Sequence, residues 1–195
     1  MNTNQKLYQP IAALAFTTVL ILLIPLVAMQ FTNEVHWTLS DFIFAGGLLF
    51  GTGIMYILVT RILATRKAAN SAYRVAVGFA LFTGLFLIWV NAAVGIIGSE
   101  DNPFNVMYFG VIAVGIIGGL SARFQPQGMI RTMFAMALAQ ALITVIALIS
   151  GFYQTSPSTL FHIMGVNGFF ITLFVVSALL FRYAEQGQIP PNENM

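Results

Sequence analysis

The chain of 195 residues contains no cysteine and few charged residues. The lack of cysteine excludes disulfides, thiolate metal sites, iron–sulfur clusters and cysteine nucleophiles. Asp, Glu, Lys and Arg make up 7% of the chain, whereas soluble domains carry about a quarter. Because 58% of the residues are hydrophobic and the mean hydropathy is +0.88, the composition predicts a protein embedded in a lipid bilayer.

The sequence also lacks the motifs of common catalytic centres. It has no GxSxG, no HExxH, no Walker lysine motif and no GxGxxG between a strand and a helix. These absences favour a function without catalysis but leave an enzyme open. No cofactor is predicted, and no nucleic-acid partner is expected, because basic residues in a membrane protein report its topology first.

Six long apolar runs predict the fold. The hydrocarbon core of a bilayer, about 30 Å thick, requires about 20 apolar residues per helix. Runs of this length occupy residues 10–30, 41–62, 73–98, 103–122, 129–151 and 158–181. They show no polar/apolar alternation, which argues against a membrane β-barrel. We expect an all-α bundle of six transmembrane helices that forms a single transmembrane domain over residues 1–195.

Helix-boundary signals support this division. A capping residue precedes a proline at Asn102-Pro103 and at Ser156-Pro157, which is typical of a helix start. Thr38 and Asp41 have the spacing of a capping box before the second span. The segment QPQG at residues 125–128 predicts the turn between the fourth and fifth spans.

Basic residues predict the orientation. They lie before the first span, between the second and third, between the fourth and fifth, and after the sixth: Lys6, Arg61, Arg66, Lys67, Arg74, Arg123, Arg131 and Arg182. Because loops rich in Lys and Arg remain in the cytoplasm, both termini are predicted to be cytoplasmic. Tyrosines near the span ends, including Tyr73 and Tyr108, are predicted to lie in the membrane–water interface.

Small residues recur at helical spacing within the spans. The hexapeptide AVGIIG occurs at residues 93–98 and again at 113–118, and antiparallel spans would place the two copies at opposite depths. Small side chains let helix backbones approach closely, and this contact drives helix association in lipid. The sequence therefore predicts helix packing at five glycines: Gly47, Gly51, Gly95, Gly115 and Gly119.

Three amide side chains lie within the spans, namely Asn91, Gln140 and Asn167. They either exchange hydrogen bonds between helices or line a cavity that holds a small polar ligand. Asn91 and Asn167 are the preferred ligand pair because their predicted depths match. No ionisable residue lies near the middle of a span, which argues against proton-coupled transport.

The predicted outer side carries a mixture of carboxylates and histidines: Glu34, His36, Glu100, Asp101 and His162. Oxygen and imidazole donors of this kind suit a divalent cation such as Zn²⁺ or Mn²⁺ if they converge. Solvated loop charge is the alternative interpretation, and the sequence leaves both open.

Three strings prompt a resemblance to a known group: WTLSDF from Trp37, AGGLLFGTG from Ala45 and WVNAAVGIIGSEDNP from Trp89. In these strings the chain resembles small, uncharacterised, multi-pass inner-membrane proteins of bacteria. The resemblance extends over nearly the whole chain. It implies a location in the inner membrane, but it implies no activity, ligand or catalytic residue.

Two main functional hypotheses follow. The first is a structural or interaction protein, whose small-residue helix faces bind another membrane protein or a second copy of itself. The second is a small transporter or channel with polar contacts from Asn91, Gln140 and Asn167. A divalent-metal site on the outer face is a further alternative.

Overall fold

A computed structural model describes residues 3–63, 70–99, 101–151 and 160–187, and all regular elements in these ranges are helical. The helices are α1 (Thr3–Phe31), α2 (Leu39–Leu58), α3 (Ser71–Ala93), α4 (Met107–Ser121), α5 (Pro126–Ile149) and α6 (Leu160–Gln186). A π-helical turn, Val59–Leu63, follows α2, and a 3₁₀ turn, Pro103–Val106, precedes α4. The described chain thus contains six helical segments long and apolar enough to cross a bilayer, which confirms the predicted all-α class.

The chain divides into two compact units, of which the first is Met1–Leu58. In this unit α1 packs against α2 through glycines of α2. A methyl group built on Gly46 would lie 3.2 Å from Cδ1 of Leu22, and one built on Gly53 would overlap the side chain of Leu14. Ala45, next to Gly46 in α2, is also buried. Small residues therefore allow the two helices of this unit to approach closely.

The second unit, Val59–Met195, contains α3 to α6. Helix α6 packs against both α3 and α5, and α4 packs against α5. Three phenylalanines of α6, at positions 170, 174 and 181, are completely buried or nearly so. The ring of Phe86 on α3 packs against Phe170, with ring centroids 5.6 Å apart. Aromatic side chains thus fill the contact between α3 and α6.

Two of the predicted helix starts are confirmed. The backbone N–H and the hydroxyl of Thr38 both donate to the Asp41 carboxylate, at 2.7 and 2.8 Å, at the beginning of α2. The side chain of Asn102 accepts from the N–H of Phe104 at 3.0 Å, and the 3₁₀ turn begins at Pro103. The third predicted start, at Ser156-Pro157, lies outside the described residues.

The predicted turn at residues 125–128 is wrong, because α5 already begins at Pro126. The chain reverses direction just before residue 125, through Arg123 and Phe124, which have φ angles of 48° and 53°. Their N–H groups donate to carbonyls of the last turn of α4, Arg123 to Leu120 and Phe124 to Gly119, both at 3.0 Å. This is the hydrogen-bond pattern of a Schellman motif, built here on a non-glycine residue.

Several helix limits differ from the predicted span limits, and the largest difference is at α1, which begins at Thr3 and not at residue 10. Helix α3 ends at Ala93 and not at residue 98, while α5 begins before residue 129 and α6 continues beyond residue 181 to Gln186. Tyr73 and Tyr108 are 0% and 1% exposed, so their side chains are buried within the protein, and their predicted depth in a bilayer stays a prediction. Each hydroxyl donates a hydrogen bond, Tyr73 to the carbonyl of Phe124 and Tyr108 to a side chain of α6.

Candidate functional site

The first copy of AVGIIG leaves the helix after Ala93, and the side chain of Asn105 holds the resulting loop. Its Oδ1 accepts from the backbone N–H groups of Ile96 and Ile97, at 3.1 and 2.9 Å. Its Nδ2 donates to the carbonyl of Ser99 at 2.7 Å. Both isoleucines are fully buried, so their N–H groups need these partners. One side chain therefore replaces the helical hydrogen bonds that this segment gives up.

The glycine at the start of this loop has a backbone requirement. Gly95 has a φ of +68°, which glycine adopts without steric cost. A methyl group built on it would overlap the backbone of Ser99 and lie 2.7 Å from Nδ2 of Asn105. Gly95 lies outside α3, so its small size serves this turn and not a helix face shared with Asn91.

Asn91 connects the end of α3 to the same loop. Its Nδ2 donates to the backbone oxygen of Asn105 at 3.1 Å, and the residue is 5% exposed. Its Oδ1 is buried and has no hydrogen-bond partner among the described residues.

The other two predicted amides contact each other directly. Oδ1 of Asn167 accepts from Nε2 of Gln140 at 2.9 Å and from the hydroxyl of Tyr108 at 3.0 Å. Nδ2 of Asn167 donates to the carbonyl of Ile163, one turn earlier in α6, at 2.8 Å. The side chains thereby connect α4, α5 and α6 by hydrogen bonds within a fully buried site.

Asn105 and Tyr108 are three residues apart, so the hydrogen bonds of Asn105 and those of Tyr108 lie close together at the beginning of α4. We call the five residues the amide network: Asn91, Asn105, Tyr108, Gln140 and Asn167. The preferred ligand pair is not joined by a described hydrogen bond, because Asn91 bonds to Asn105 while Asn167 bonds to Gln140 and Tyr108. The network consists of carboxamides and a phenol, which exchange hydrogen bonds but provide no nucleophile with an adjacent base.

Two acceptors of the network have no donor among the described residues, Oδ1 of Asn91 and Oε1 of Gln140. A buried acceptor without a donor costs about 1–3 kcal/mol. Folded proteins contain few such atoms, and each requires a physical explanation. These two oxygens are therefore the positions in the network where a further molecule would gain the most from binding.

The packing glycines differ in what surrounds them. A methyl group on Gly115 would lie 2.8 Å from the sulfur of Met136, and one on Gly119 would lie 3.0 Å from the ring of Phe124. A methyl group on Gly47 or Gly51 would meet no atom within 4 Å. Gly115 and Gly119 thus permit close contacts inside the second unit, whereas Gly47 and Gly51 lie on an exposed side of α2.

The carboxylates and histidines that were predicted to lie on the outer side are not assembled into a metal site in the part of the chain that is described. His, Asp and Glu side chains there form no group of three or more able to hold a metal ion. Glu34, His36, Asp101 and His162 are exposed, and Glu100 lies outside the described residues. Their predicted role as metal ligands therefore stays a prediction.

Asn105 was not among the residues predicted from the sequence, and Tyr108 was predicted only as an interfacial aromatic residue, although both belong to the amide network. Asn105 lies in the turn that follows Asn102-Pro103, so local signals explain the turn and give its side chain no further role. The one sequence feature that indicates a role for them is that both residues are polar and lie in the first turns of an apolar segment.

No protein-family model matches this chain, and comparisons with the curated proteins and with the solved structures found no match either.

Proposed function

We propose that the protein is a bacterial inner-membrane protein that acts by association, with α2 of one copy bound to α2 of a second copy. The basic residues support cytoplasmic termini, because they lie on one side of the six spans. In this orientation the loop between α1 and α2 faces outward. In this proposal the partners are the lipid bilayer and another copy of the chain.

The observation that carries the proposal is that α2 has glycines on two different sides. Gly46 and Gly53 face α1 within the first unit, where built methyl groups would meet leucine side chains. Gly47 and Gly51 are one turn apart on another side, where built methyl groups would meet nothing. Glycine in a helix interior costs about 1 kcal/mol relative to alanine. Contacts within the first unit explain the first pair but not the second.

Gly47 and Gly51 lie within an apolar surface of α2 against which another helix can pack. We call it the Gly47 face, and it comprises Phe44, Gly47, Gly51, Met55 and Leu58. All five residues are exposed, and their positions in sequence follow the helical period. A small-xxx-small pair lets two helices approach closely and is a frequent site of helix dimerisation in membranes.

A second copy is the occupant that this surface fits best. Copies in one membrane have the same orientation, so their α2 helices run parallel and a two-fold axis brings identical residues together. The Gly47 face has no charged side chain among its five residues, so it can bind itself without repulsion. Contact between the glycines would leave Phe44, Met55 and Leu58 of each copy to pack around them.

Cysteine cross-linking tests this arrangement, because the natural chain contains no cysteine that would interfere. Phe44→Cys and Met55→Cys place a thiol on the Gly47 face, whereas Leu138→Cys places one on the exposed side of α5. After oxidation in native membranes, we expect disulfide-linked dimers from the first two variants and not from the third. Equal yields from all three variants, or no dimer from any, would contradict the proposal.

Transport or channel activity is a second candidate function, favoured by the unpartnered Oε1 of Gln140 in the core of the second unit. The test is the rate at which urea crosses proteoliposomes containing the protein, measured by stopped-flow light scattering. We expect a rate above that of protein-free liposomes, which Gln140→Leu lowers. Wild-type protein that adds no permeability would remove this candidate for urea.

A further inference from the structure

The amide network contains acceptors whose surroundings define what can bind to them. We propose that the network binds a small, uncharged hydrogen-bond donor at Oε1 of Gln140. The inference is independent of association through α2. It deepens the second candidate function by naming the ligand class, but it concerns binding alone and does not require the molecule to cross the membrane.

The orientation of the Gln140 amide is fixed by its neighbours. Nε2 donates to Oδ1 of Asn167 at 2.9 Å, and Nδ2 of Asn167 donates to the carbonyl of Ile163 at 2.8 Å. The hydroxyl of Tyr108 donates to the same Oδ1 at 3.0 Å. Rotation of the Gln140 amide by 180° would place two acceptor oxygens against each other. Oε1 of Gln140 therefore remains the open acceptor, and only a donor can satisfy it.

The hydroxyl of Thr144 does not supply that donor. The hydroxyl of Thr144, one turn later in α5, donates to the backbone oxygen of Gln140 at 2.8 Å and not to its side chain. Gln140 lies 14 residues after Pro126, so it is about 21 Å along α5 from its first residue. The donor must therefore be a molecule held well inside the helical unit.

The chemistry of the site favours an uncharged donor. Its side chains are carboxamides and a phenol, and none of the acidic side chains in the described ranges is buried: Glu34, Asp41, Asp101 and Glu185. A bound ammonium ion would have no compensating carboxylate, and burial of an unpaired charge is costly. A water molecule or a small amide such as urea would bring N–H or O–H donors without this cost.

The enclosure of the site limits the size of the ligand. Gln140 and Asn167 are 0% exposed and Tyr108 is 1% exposed. The hydroxyl oxygen of Tyr108 donates its hydrogen to Asn167 and keeps lone pairs that can accept a second donor group. The hydroxyl of Tyr108 is therefore a second acceptor within the same network.

Solid-state NMR of the protein in bilayers tests the inference without a mutation in the sample that is measured. Glutamine residues carry ¹³C and ¹⁵N, and magnetisation is transferred from protons of the probe to the side-chain carbonyl carbon of Gln140. The probes are water and urea in separate samples, with methylammonium as a third, charged probe. The Gln140→Met variant assigns the signal, because only that signal disappears.

A paramagnetic ion in the aqueous phase separates buried from surface binding. It should suppress transfer to the exposed Gln30 and Gln127 and leave transfer to Gln140 unchanged. Transfer from water alone identifies a bound water molecule, and transfer from urea identifies a solute site; either result supports the inference. Absence of transfer from both would overturn it, as would transfer from methylammonium that exceeds transfer from water and from urea.

Discussion

Oδ1 of Asn105 accepts hydrogen bonds from the N–H groups of two successive residues, of which Ile97 is the nearer at 2.9 Å. This relationship explains why identical hexapeptides adopt different structures. Residues 93–98 form a loop at the end of α3, whereas residues 113–118 are helical within α4. The side chain that stabilises the loop lies outside the repeated sequence.

Asn105→Ala tests the role of this side chain. The substitution removes three hydrogen bonds and leaves two buried N–H groups unpaired, so we expect a loss of about 2–4 kcal/mol in the free energy of unfolding. Asn102→Ala is the matched control, since it removes only a helix cap and should cost about 1 kcal/mol. Reversible unfolding in mixed detergent provides the measurement. Equal losses in the two variants would show that the loop does not depend on Asn105.

Asn167→Leu tests whether the amide network stabilises the contact of α4, α5 and α6. It leaves the hydroxyl of Tyr108 and Nε2 of Gln140 without their acceptor, which should cost about 2–4 kcal/mol. Thr172→Val, at an exposed position of the same helix, should change the stability by less than about 0.5 kcal/mol. The melting temperatures of the purified variants should therefore separate clearly. A melting temperature of Asn167→Leu equal to that of the wild type would contradict this role.

Gly115→Leu tests the close contact between α4 and α5. The new side chain would overlap Met136, so we expect overpacking to cost about 1–3 kcal/mol. Gly110→Leu is the control on the same helix, because a methyl group there would meet no atom within 4 Å. Thermal unfolding in detergent should show a lower melting temperature for the first variant alone. Similar melting temperatures for both would mean that Met136 moves aside without cost.

Arg123→Gly tests the left-handed turn that connects α4 to α5. A side chain at a φ of 48° costs about 1–2 kcal/mol, so glycine should raise the melting temperature. Arg123→Ala also removes the charge but keeps the Cβ atom, and it should not stabilise the protein. Stabilisation by both variants would assign the effect to the charge instead.

The sequence predicts helices here more easily than it predicts which helix faces are buried. Gln140 and Asn167 stand out because an amide in an apolar span needs a partner, and the structure pairs them. Gly47 and Gly115 look alike in the sequence, yet one is exposed and the other contacts Met136. In lipid both the buried and the bilayer-facing sides of a helix are apolar, so periodicity does not distinguish them. The loop at residues 94–99 was not predicted, because Asn105 lies eight and nine residues after Ile97 and Ile96, beyond the spacing of a local capping motif.

The most direct test of association through the Gly47 face is native mass spectrometry of protein released gently from membranes. We predict a dimer for the wild type and for Gly110→Leu, and a monomer for Gly47→Leu and Gly51→Leu, because a leucine at either position would hold the two α2 helices apart. Dimers that persist in both α2 variants, or a wild-type protein that is monomeric in native membrane extracts, would contradict the account.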